Sequence, residues 1–491
     1  MVANAYAVSY LLPGLIYELF MGGILYSIFI PLLVDRMTKE GEDDARHLTN
    51  ALLTLVLPLL AAVTLLGVAF AEPLVALTTN WTAARELSPE AARQTTDLAV
   101  LFFRIFTLQI LFYGISTIAT GVLQSHRRFF LPTFAPVLNN LIVIVSFGLY
   151  ALLAGENQTA AIHVLAAGAT LGVGVMALAL IPTMWRLGYK PRPRTKHPAL
   201  APAARLAGPM LILVAASVGV QAVAYLMGTS FNAAPQLYYA FTIFSLPYGV
   251  FVVAVATALM PELSEQYSRG DAEGYRDTLS FGLRLVAFVA IPSTVGLVVF
   301  AKPIIALLYE RGEFGPQATR EVAALLVAYS VGLLGYSVYF LLVRAFYSRQ
   351  NTLTPALLNV VLFVVFVALA YGLSRVMGVV GVALALSGAN AALALLGLAA
   401  MRKETKRLGG RNLLRSMAKI LAAGAAMYAV ALGGKALVLE EGAGSGFLER
   451  MVVVALVGGV SLGAYIGVAY LLKVEELRPA LALLRRRGTE G

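Results

Sequence analysis

The sequence predicts an all-α polytopic membrane protein built from two related lobes, and three observations lead to this fold class. The first is composition: of 491 residues, 59% are hydrophobic and only 13% are charged, whereas a soluble domain carries about 25% charged residues. The second is a series of long apolar segments, and the third is an internal repeat. Together they indicate a bundle of membrane helices with no soluble domain.

Thirteen apolar segments have the length of membrane-spanning helices, which need about 20 mostly apolar residues each. They cover residues 6–33, 49–70, 98–123, 131–153, 160–184, 206–227, 234–260, 279–300, 323–343, 354–373, 379–400, 417–432 and 451–472. Each segment is apolar nearly all round, and the connections between them are short. We therefore expect helical hairpins in lipid, with boundaries that are soft by a few residues.

An internal repeat divides these segments into two sets. The run FFLPTFAPVLNN, residues 129–140, recurs in altered form 223 residues later as TLTPALLN, residues 352–359. A second pair, LPGLIYELF at 12–20 and LPYGVF at 246–251, agrees with an offset of 234. A repeat this long exceeds a solenoid unit and is typical of transporters made of two related bundles.

The repeat predicts three parts of the chain. These are an N-terminal lobe (1–190), a C-terminal lobe (191–405), and two extra helices with a basic cytoplasmic tail (406–491). If the first and seventh segments correspond, the sixth segment, 206–227, has no counterpart in the second lobe. We therefore expect one further helix before residue 1, which would give fourteen spans in a parallel repeat. Two unequal lobes that start at Met1 are the alternative.

Lysine and arginine are distributed unequally between the two sides of the membrane. With the first connection placed in the cytoplasm, the cytoplasmic segments hold 28 basic residues and the outer segments hold 8. This bias predicts a cytoplasmic C-terminus by the positive-inside rule. It also accounts for the net charge of +11 as an orientation signal and an attraction to anionic lipid headgroups. Nucleic-acid binding is therefore not expected.

No pattern for catalysis or for metal binding is present in the sequence. The chain has no cysteine, which removes thiolate nucleophiles, thiolate metal sites and disulfides together. The four histidines, His47, His126, His163 and His197, are far apart and lack a second ligand at metal spacing. We expect neither an enzyme nor a bound cofactor or metal.

Charged residues inside apolar segments are candidates for function, because a charge within the membrane is energetically costly. Glu18 lies deep in the first segment and must be neutral, paired or exposed to a watery cavity. Arg104 lies near the outer end of the third segment, where it either lines a cavity or extends outward to the headgroups. Arg284 lies near an inner end, where extension to the cytoplasmic headgroups is expected.

Uncharged polar side chains cluster in the first, third, fourth and seventh segments. They are Tyr17, Gln109, Asn139, Asn140, Tyr238, Tyr239, Thr242 and Ser245. Any one of them can make an interhelical hydrogen bond instead of a substrate contact, but their grouping favours a cavity between the lobes. Pro13, Gly14 and Pro247 predict paired bends, or hinges, in the first and seventh segments.

The segment after residue 3 resembles a known family. ANAYAVSYLLPGLIYELFMGGILYSIFIPLL, residues 3–33, is similar to the segment after the first helix in MurJ/MviN proteins, the lipid II flippases of the MOP exporter superfamily, and most similar to their actinobacterial branch. Further matches are RRFFLPTFAPVLNN (127–140), IPSTVGLVVFAKPIIALLYERGEF (291–314) and AYSVGLLGYSVYFLLVRAFYSRQNTLTP (328–355). The resemblance covers essentially the whole chain.

The resemblance implies a function as well as a fourteen-helix, two-lobed fold. Such a protein lies in the bacterial cytoplasmic membrane and carries undecaprenyl-linked peptidoglycan precursor from the inner to the outer leaflet by alternating access. Its substrate is a lipid-linked glycan pyrophosphate, and its partners are the bilayer and proteins of cell-wall synthesis or division. The segments 417–432 and 451–472 would form a groove for the lipid tail.

The chain also departs from the family's pattern of cavity cations. In segment 6–33, Tyr17 occupies the position of an arginine that is common in the family. In segment 234–260, Thr242 and Ser245 occupy the positions of a second arginine and a following acid. Arg104 matches a position that is basic in the family. Three alternatives therefore stay open. They are a flippase for another polyprenyl-linked glycan, a drug/cation antiporter of the same superfamily, and a non-transporting homologue that regulates wall synthesis.

Overall fold

The structure, a computed structural model, describes residues 2–20, 29–79, 88–406, 410–439 and 447–477. Over these ranges the chain forms helices joined by turns and short connections, and no strand. The predicted all-α class is therefore confirmed.

The chain divides into two compact units, one ending at Pro235 and the other beginning at Gln236. The described part of the first unit contains α1 (Val2–Phe20), α2 (Ile30–Lys39), α3 (Glu42–Ala69), α4 (Ala71–Thr78), α5 (Pro89–Phe106), α6 (Gln109–Ser125), α7 (Phe130–Leu153), α8 (Gln158–Arg186) and α9 (Leu200–Ser230).

The second unit begins within the first turn of α10. Its described helices are α10 (Ala234–Pro247), a π-helical turn (Tyr248–Val252), α11 (Val253–Ser268), α12 (Ala272–Val299), α13 (Ala301–Tyr309), α14 (Pro316–Ser330), α15 (Leu333–Ser348), α16 (Leu353–Met377), α17 (Val379–Thr405), α18 (Gly410–Gly434), a second π-helical turn (Lys435–Leu439) and α19 (Phe447–Leu471).

Most of the predicted spans are found as helices. Eleven helical segments of the described ranges are long and apolar enough to cross a membrane, and the bent pair of α14 and α15 makes a twelfth. These twelve match the predicted segments from 49–70 to 451–472. The first predicted segment, 6–33, overlaps α1 and α2, and residues 21–28 between them lie outside the described ranges. The lobe boundaries at 190 and 405 stay a prediction.

Each unit contains an aromatic contact between residues that correspond by the sequence repeat. The rings of Tyr10 and Phe106 lie 5.8 Å apart in the first unit, and those of Phe244 and Tyr329 lie 5.8 Å apart in the second. Tyr10 and Phe244 are 234 residues apart, and Phe106 and Tyr329 are 223 apart, which are the two offsets of the repeat. The first helix of each unit therefore contacts the third span through a ring pair at matching positions, although the rings lie at 87° to each other in the first unit and at 35° in the second.

The turn after the third span is also repeated. Arg127 and Gln350 both adopt the left-handed backbone conformation, with φ of 56° and 60°. The next residue closes each turn with a backbone hydrogen bond, from the Arg128 N–H to Leu123 at 2.8 Å and from the Asn351 N–H to Phe346 at 3.0 Å. This bond pattern ends a helix by satisfying its last carbonyl groups. The predicted repeat is therefore present in the backbone as well as in the sequence.

A short helix follows the second span of each unit, and its sequence is repeated too. In the first unit, the segment FAEPLVALT (70–78) consists of Phe70 and the whole of α4. In the second unit, the segment FAKPIIALL (300–308) consists of Phe300 and most of α13. Phe70 and Phe300 are the turn residues that separate these short helices from α3 and α12. The repeat differs at one charged position, where Glu72 is replaced by Lys302.

Candidate functional site

The third span of each unit is broken in its middle. In the first unit α5 ends at Phe106 and α6 begins at Gln109; in the second, α14 ends at Ser330 and α15 begins at Leu333, with a bend of 47°. A break frees backbone carbonyl groups, which need a donor inside the protein because the hydrocarbon of the membrane supplies none. Backbone N–H groups within the breaks reach two of these carbonyls, from Leu108 to Ile105 at 3.3 Å and from Gly332 to Tyr329 at 3.0 Å. Side chains of a neighbouring helix supply further hydrogen bonds at each break.

In the first unit a buried hydrogen-bond chain holds the break. Thr170 on α8 donates its hydroxyl to the Ile105 carbonyl at 3.1 Å, and the amide of Gln109 donates to the Thr170 hydroxyl at 3.3 Å. Gln109 is 1% exposed. This geometry is that of an interhelical hydrogen bond, one of the two roles that the sequence allows for Gln109.

In the second unit the corresponding donor is Ser387 on α17. Its hydroxyl lies 2.6 Å from the Ala328 carbonyl and 3.1 Å from the Tyr329 carbonyl. Gly332 lies directly against this residue, because a Cβ atom placed on Gly332 would stand 2.5 Å from the Cα of Ser387. A side chain at position 332 would therefore push the fifth span of this unit away from the break.

Arg104 lies on the last turn of α5, just before the break in the first unit. Its guanidinium Nη2 is 3.3 Å from the Glu72 carboxylate on α4, and the two side chains are 48% and 75% exposed. An exposed pair of this kind contributes only about 0.2–1 kcal/mol. Arg104 is therefore held in place weakly and can exchange Glu72 for another anion.

The two predicted asparagines of α7 differ in their surroundings. Asn140 is exposed, whereas Asn139 is half-buried and faces Gly172 on α8. The side-chain oxygen of Asn139 is buried and accepts no hydrogen bond from the residues that the structure describes. The side-chain oxygen of Asn139 is thus an acceptor without a donor among the described residues, whereas the side chain of Asn140 is exposed on the surface of the unit.

The first helix carries four of the predicted residues, Pro13, Gly14, Tyr17 and Glu18. α1 runs from Val2 to Phe20 with Pro13 inside it, and Pro13 is buried whereas Gly14 is half-buried. The side chains of Tyr17 and Glu18 lie outside the described residues. Their predicted role in a cavity, and the predicted bend at Pro13, stay predictions.

In the second unit, the predicted tyrosines of α10 belong to an aromatic cluster. The ring of Tyr239 lies 5.0 Å from Tyr309 of α13 and 6.0 Å from Phe314, and Tyr238 lies beside it at 6.2 Å. Burial, followed by the neighbouring Tyr239, raises the pKa of Tyr309 above its ordinary value. This hydroxyl therefore stays neutral at physiological pH and can act as a hydrogen-bond donor.

Thr242 and Ser245 bond to the backbone of their own helix. Thr242 donates to the Tyr238 carbonyl and Ser245 donates to the Thr242 carbonyl, each at 2.8 Å. Directly after Pro247 the helix widens into the π-helical turn Tyr248–Val252. A π-helical turn is a feature frequent at functional sites; the predicted bend at Pro247 stays a prediction.

The structure brings some of the predicted residues together and reveals partners that the sequence did not indicate. Arg104 and Gln109 flank one break, and Tyr238, Thr242 and Ser245 share the helix α10, where both hydroxyls bond to backbone carbonyls. The partners that were missed are Glu72, Thr170, Ser387 and Tyr309. The repeated motif at residues 70–73 and 300–303 was the signal that could have pointed to Glu72. Among the described residues, no three His, Asp or Glu side chains are placed to hold a metal ion.

Comparison with known proteins gives concordant results. The family model described as lipid II flippase MurJ matches residues 1–453. A probable lipid II flippase MurJ of Bdellovibrio bacteriovorus is 30% identical over 97% of this chain and 89% of its own length. The corresponding protein of Vibrio cholerae is 28% identical over 94% of this chain and 88% of its own length.

Two solved structures show the same fold. A lipid II flippase MurJ in an inward closed conformation has a TM-score of 0.72 at 23% identity, covering 94% of this chain and 92% of its own. An inward-facing multidrug resistance MATE family transporter of the MOP superfamily has a TM-score of 0.67 at 15% identity, covering 83% and 94%. With this fold, its repeated broken helices and the match over nearly the whole sequence, the chain is a multi-pass membrane protein that belongs to the MurJ family of lipid II flippases.

Proposed function

We propose that this chain flips lipid II from the inner to the outer leaflet of the bacterial cytoplasmic membrane by alternating access. The observation that carries this proposal is the match of the lipid II flippase family over residues 1–453. The fold supports it, because a helical bundle with polar groups at interrupted helices is the arrangement by which transporters bind substrates within a membrane.

The chemistry of the substrate explains why such a bundle is needed. The sugar pyrophosphate head of lipid II cannot cross hydrocarbon, whereas its polyprenyl tail never has to leave it. The protein therefore has to offer a polar path to the head and leave the tail in lipid. No bond is made or broken in this process, so the proposed role is that of a transporter and not of an enzyme.

Arg104 is the residue that we assign to the pyrophosphate in the first unit. A guanidinium forms bidentate, charge-assisted hydrogen bonds to phosphate oxygens, and these are about twice as strong as neutral hydrogen bonds. Its present partner, Glu72, is largely exposed and contributes little. The pyrophosphate can therefore displace Glu72 from Arg104 on arrival, and Glu72 can reclaim the guanidinium after release.

The charge bias of the sequence supports the proposed sidedness. With 28 basic residues on one side and 8 on the other, the C-terminus lies in the cytoplasm and Arg104 lies toward the outer leaflet. This placement assigns Arg104 to a late step, the release side of transport.

A depletion experiment tests the function directly. The chain is expressed in a bacterium whose own flippase can be depleted, and lipid II in the outer leaflet is measured by cleavage with an externally added lipid II-degrading enzyme. We expect growth and external cleavage to continue after depletion. A chain that is present in the membrane at normal level and restores neither would contradict the proposal.

Thiol labelling distinguishes the flippase from the two other transporter candidates. Because the chain has no native cysteine, single cysteines can be read without background. Cysteines at Asn140, Tyr239 and Ser245 should react with a water-soluble reagent, whereas one at Leu59, an exposed apolar position within α3, should not. Lipid II should protect the reactive positions. Protection by cationic drugs would instead favour an antiporter, and protection by another polyprenyl-linked glycan alone would favour a different head group.

A further inference from the structure

A cavity of about 760 Å³ lies within the second unit, where α12, α18 and the end of α19 meet. Its volume is in the range of small-molecule sites, about 300–1,000 Å³. It is lined by Arg284, Asn412, Arg415, Ser416, Lys419, Tyr470, Leu471, Lys473, Val474, Glu475 and Leu477. The charge bias places this end of the helices at the cytoplasmic surface. Lys419, Tyr470 and Leu471 lie in the two segments expected to form the groove for the lipid tail, but none of the lining residues is among the contacts proposed above for the pyrophosphate.

The lining follows from the sequence of α18. Asn412, Ser416 and Lys419 recur at spacings of four and three, which puts them on one face of a helix. Arg415 lies beside them on the same turn as Ser416. One helix face thus brings two cations and two hydrogen-bonding groups to the cavity.

The base of the cavity is held rigidly by a buried carboxylate. Glu476 is fully buried, and its Oε1 lies 3.0 Å from Nε of Arg284. Ser416 donates its hydroxyl to Oε2 of Glu476 at 3.0 Å. Lys419 donates to the Lys473 carbonyl at 3.2 Å, which fixes the chain just after α19. These contacts order the walls before any ligand binds.

The cations of the cavity exceed its acids. Arg284 forms ion pairs with Glu476 and with Glu475. The Glu475 carboxylate lies 3.2 Å from Nη1 of Arg284. Arg415 and Lys473 are exposed and make no ion pair with any residue that the structure describes. An ordered cavity with unpaired cations at its mouth is suited to an anion, and phosphate is the anion that basic pockets at this membrane surface bind.

The exposed apolar side chains at the rim of the cavity favour a lipid over a free ion as its ligand. Tyr470 and Leu471, on the last turn of α19, are 71% and 77% exposed. These apolar side chains stand next to Arg415 and Lys473 at the level where headgroups meet hydrocarbon. We propose that this cavity binds the phosphodiester headgroup of an anionic phospholipid, with Arg415 and Lys473 on the phosphate and the acyl chains against Tyr470 and Leu471.

The test uses the purified full chain in detergent with defined lipids added. Binding is measured by native mass spectrometry, and the temperature of unfolding by a thermal-shift assay. We expect phosphatidylglycerol to bind and stabilise the chain, and phosphatidylcholine and inorganic phosphate to do so far more weakly. Since each basic residue near an anionic surface contributes about a factor of five to binding, R415Q/K473Q should weaken phosphatidylglycerol binding about 30-fold.

Two further variants separate the site from general surface charge. R402Q/K403Q removes the same charge from exposed positions of α17 outside the cavity lining, and it should bind like the unmodified chain. E475Q removes the exposed acid of the cavity and should tighten binding about fivefold. Equal losses in R415Q/K473Q and R402Q/K403Q would overturn the proposal, as would equal stabilisation by inorganic phosphate and phosphatidylglycerol.

Discussion

The broken third span of the first unit and its counterpart in the second differ in charge, although their backbones correspond. Near the first break, Arg104 faces Glu72. In the second unit, the repeated motif carries Lys302 in place of Glu72, and Lys302 makes no ion pair with any described residue. Both third spans are interrupted, but the arginine is not repeated: the position 223 residues after Arg104 is Val327, and Lys302 lies on the short helix α13 and not in the third span.

The two breaks are packed alike, with one exposed and one buried residue in each. Leu108 and Val331 are 46% and 60% exposed, whereas Thr107 is 0% exposed. Gly332 lies against the backbone of Ser387 with no room for a Cβ atom. The two breaks therefore differ in charge and not in packing, and this charge assigns substrate contact to the first break.

The largest expected effect is on transport, at the charged break. Arg104→Ala should lower external lipid II cleavage in the depletion assay at least about tenfold, because a hydrogen bond to a charged group is worth about 1.5–3 kcal/mol. Arg104→Lys should keep part of the activity, since lysine retains the charge but not the bidentate geometry.

The control for this experiment lies on the same helix. Arg93 is exposed on α5 and lies three turns before Arg104, so Arg93→Ala should leave transport unchanged. Full activity of Arg104→Ala, at normal protein level, would mean that Arg104 only extends to the headgroups and that the charge difference between the two breaks has no role in transport.

The second prediction concerns stability at the buried position of the second break. Gly332→Ala should lower the free energy of unfolding by about 1–3 kcal/mol, the usual penalty for overpacking an interior. Leu108→Ala, at the exposed position of the first break, should change it by less than about 1 kcal/mol, since its side chain is half exposed. Thermal unfolding of the purified variants measures both. Similar losses at the two positions would contradict the close contact of Gly332 with Ser387.

The third prediction tests whether the two hydroxyl donors are equivalent. Thr170→Val and Ser387→Ala each remove the donor to carbonyl groups at a break. Each should destabilise the chain by about 1 kcal/mol, the net contribution of an intramolecular hydrogen bond. Thr170→Ser, which retains the hydroxyl and adds no atom, serves as the control. A loss at one break alone would mean that water or another group satisfies the carbonyl at the other.

The sequence predicted the helices and the repeat well, but it did not predict these contacts. Long apolar runs report membrane spans directly, and the offsets of 223 and 234 recovered the correspondence of the two units. The sequence did not indicate Thr170 and Ser387, because a single hydroxyl within an apolar helix has no periodic pattern and its acceptor lies on another helix. The pairing of Glu72 with Arg104 likewise depends on how a short helix folds back after α3.

The smallest expected effects are at the two charged positions of the repeated motif. Glu72→Gln and Lys302→Gln should each change the free energy of unfolding by less than about 1 kcal/mol, because exposed charges contribute little to stability. Glu72→Gln should also retain transport, since the cation of Arg104 remains available to the substrate. Thermal unfolding and the depletion assay measure the two quantities. The opposite outcome is that Glu72→Gln loses transport as fully as Arg104→Ala does in the same assay. That outcome would make the ion pair itself the functional element. Exchange of Glu72 for pyrophosphate would then be a required step of transport.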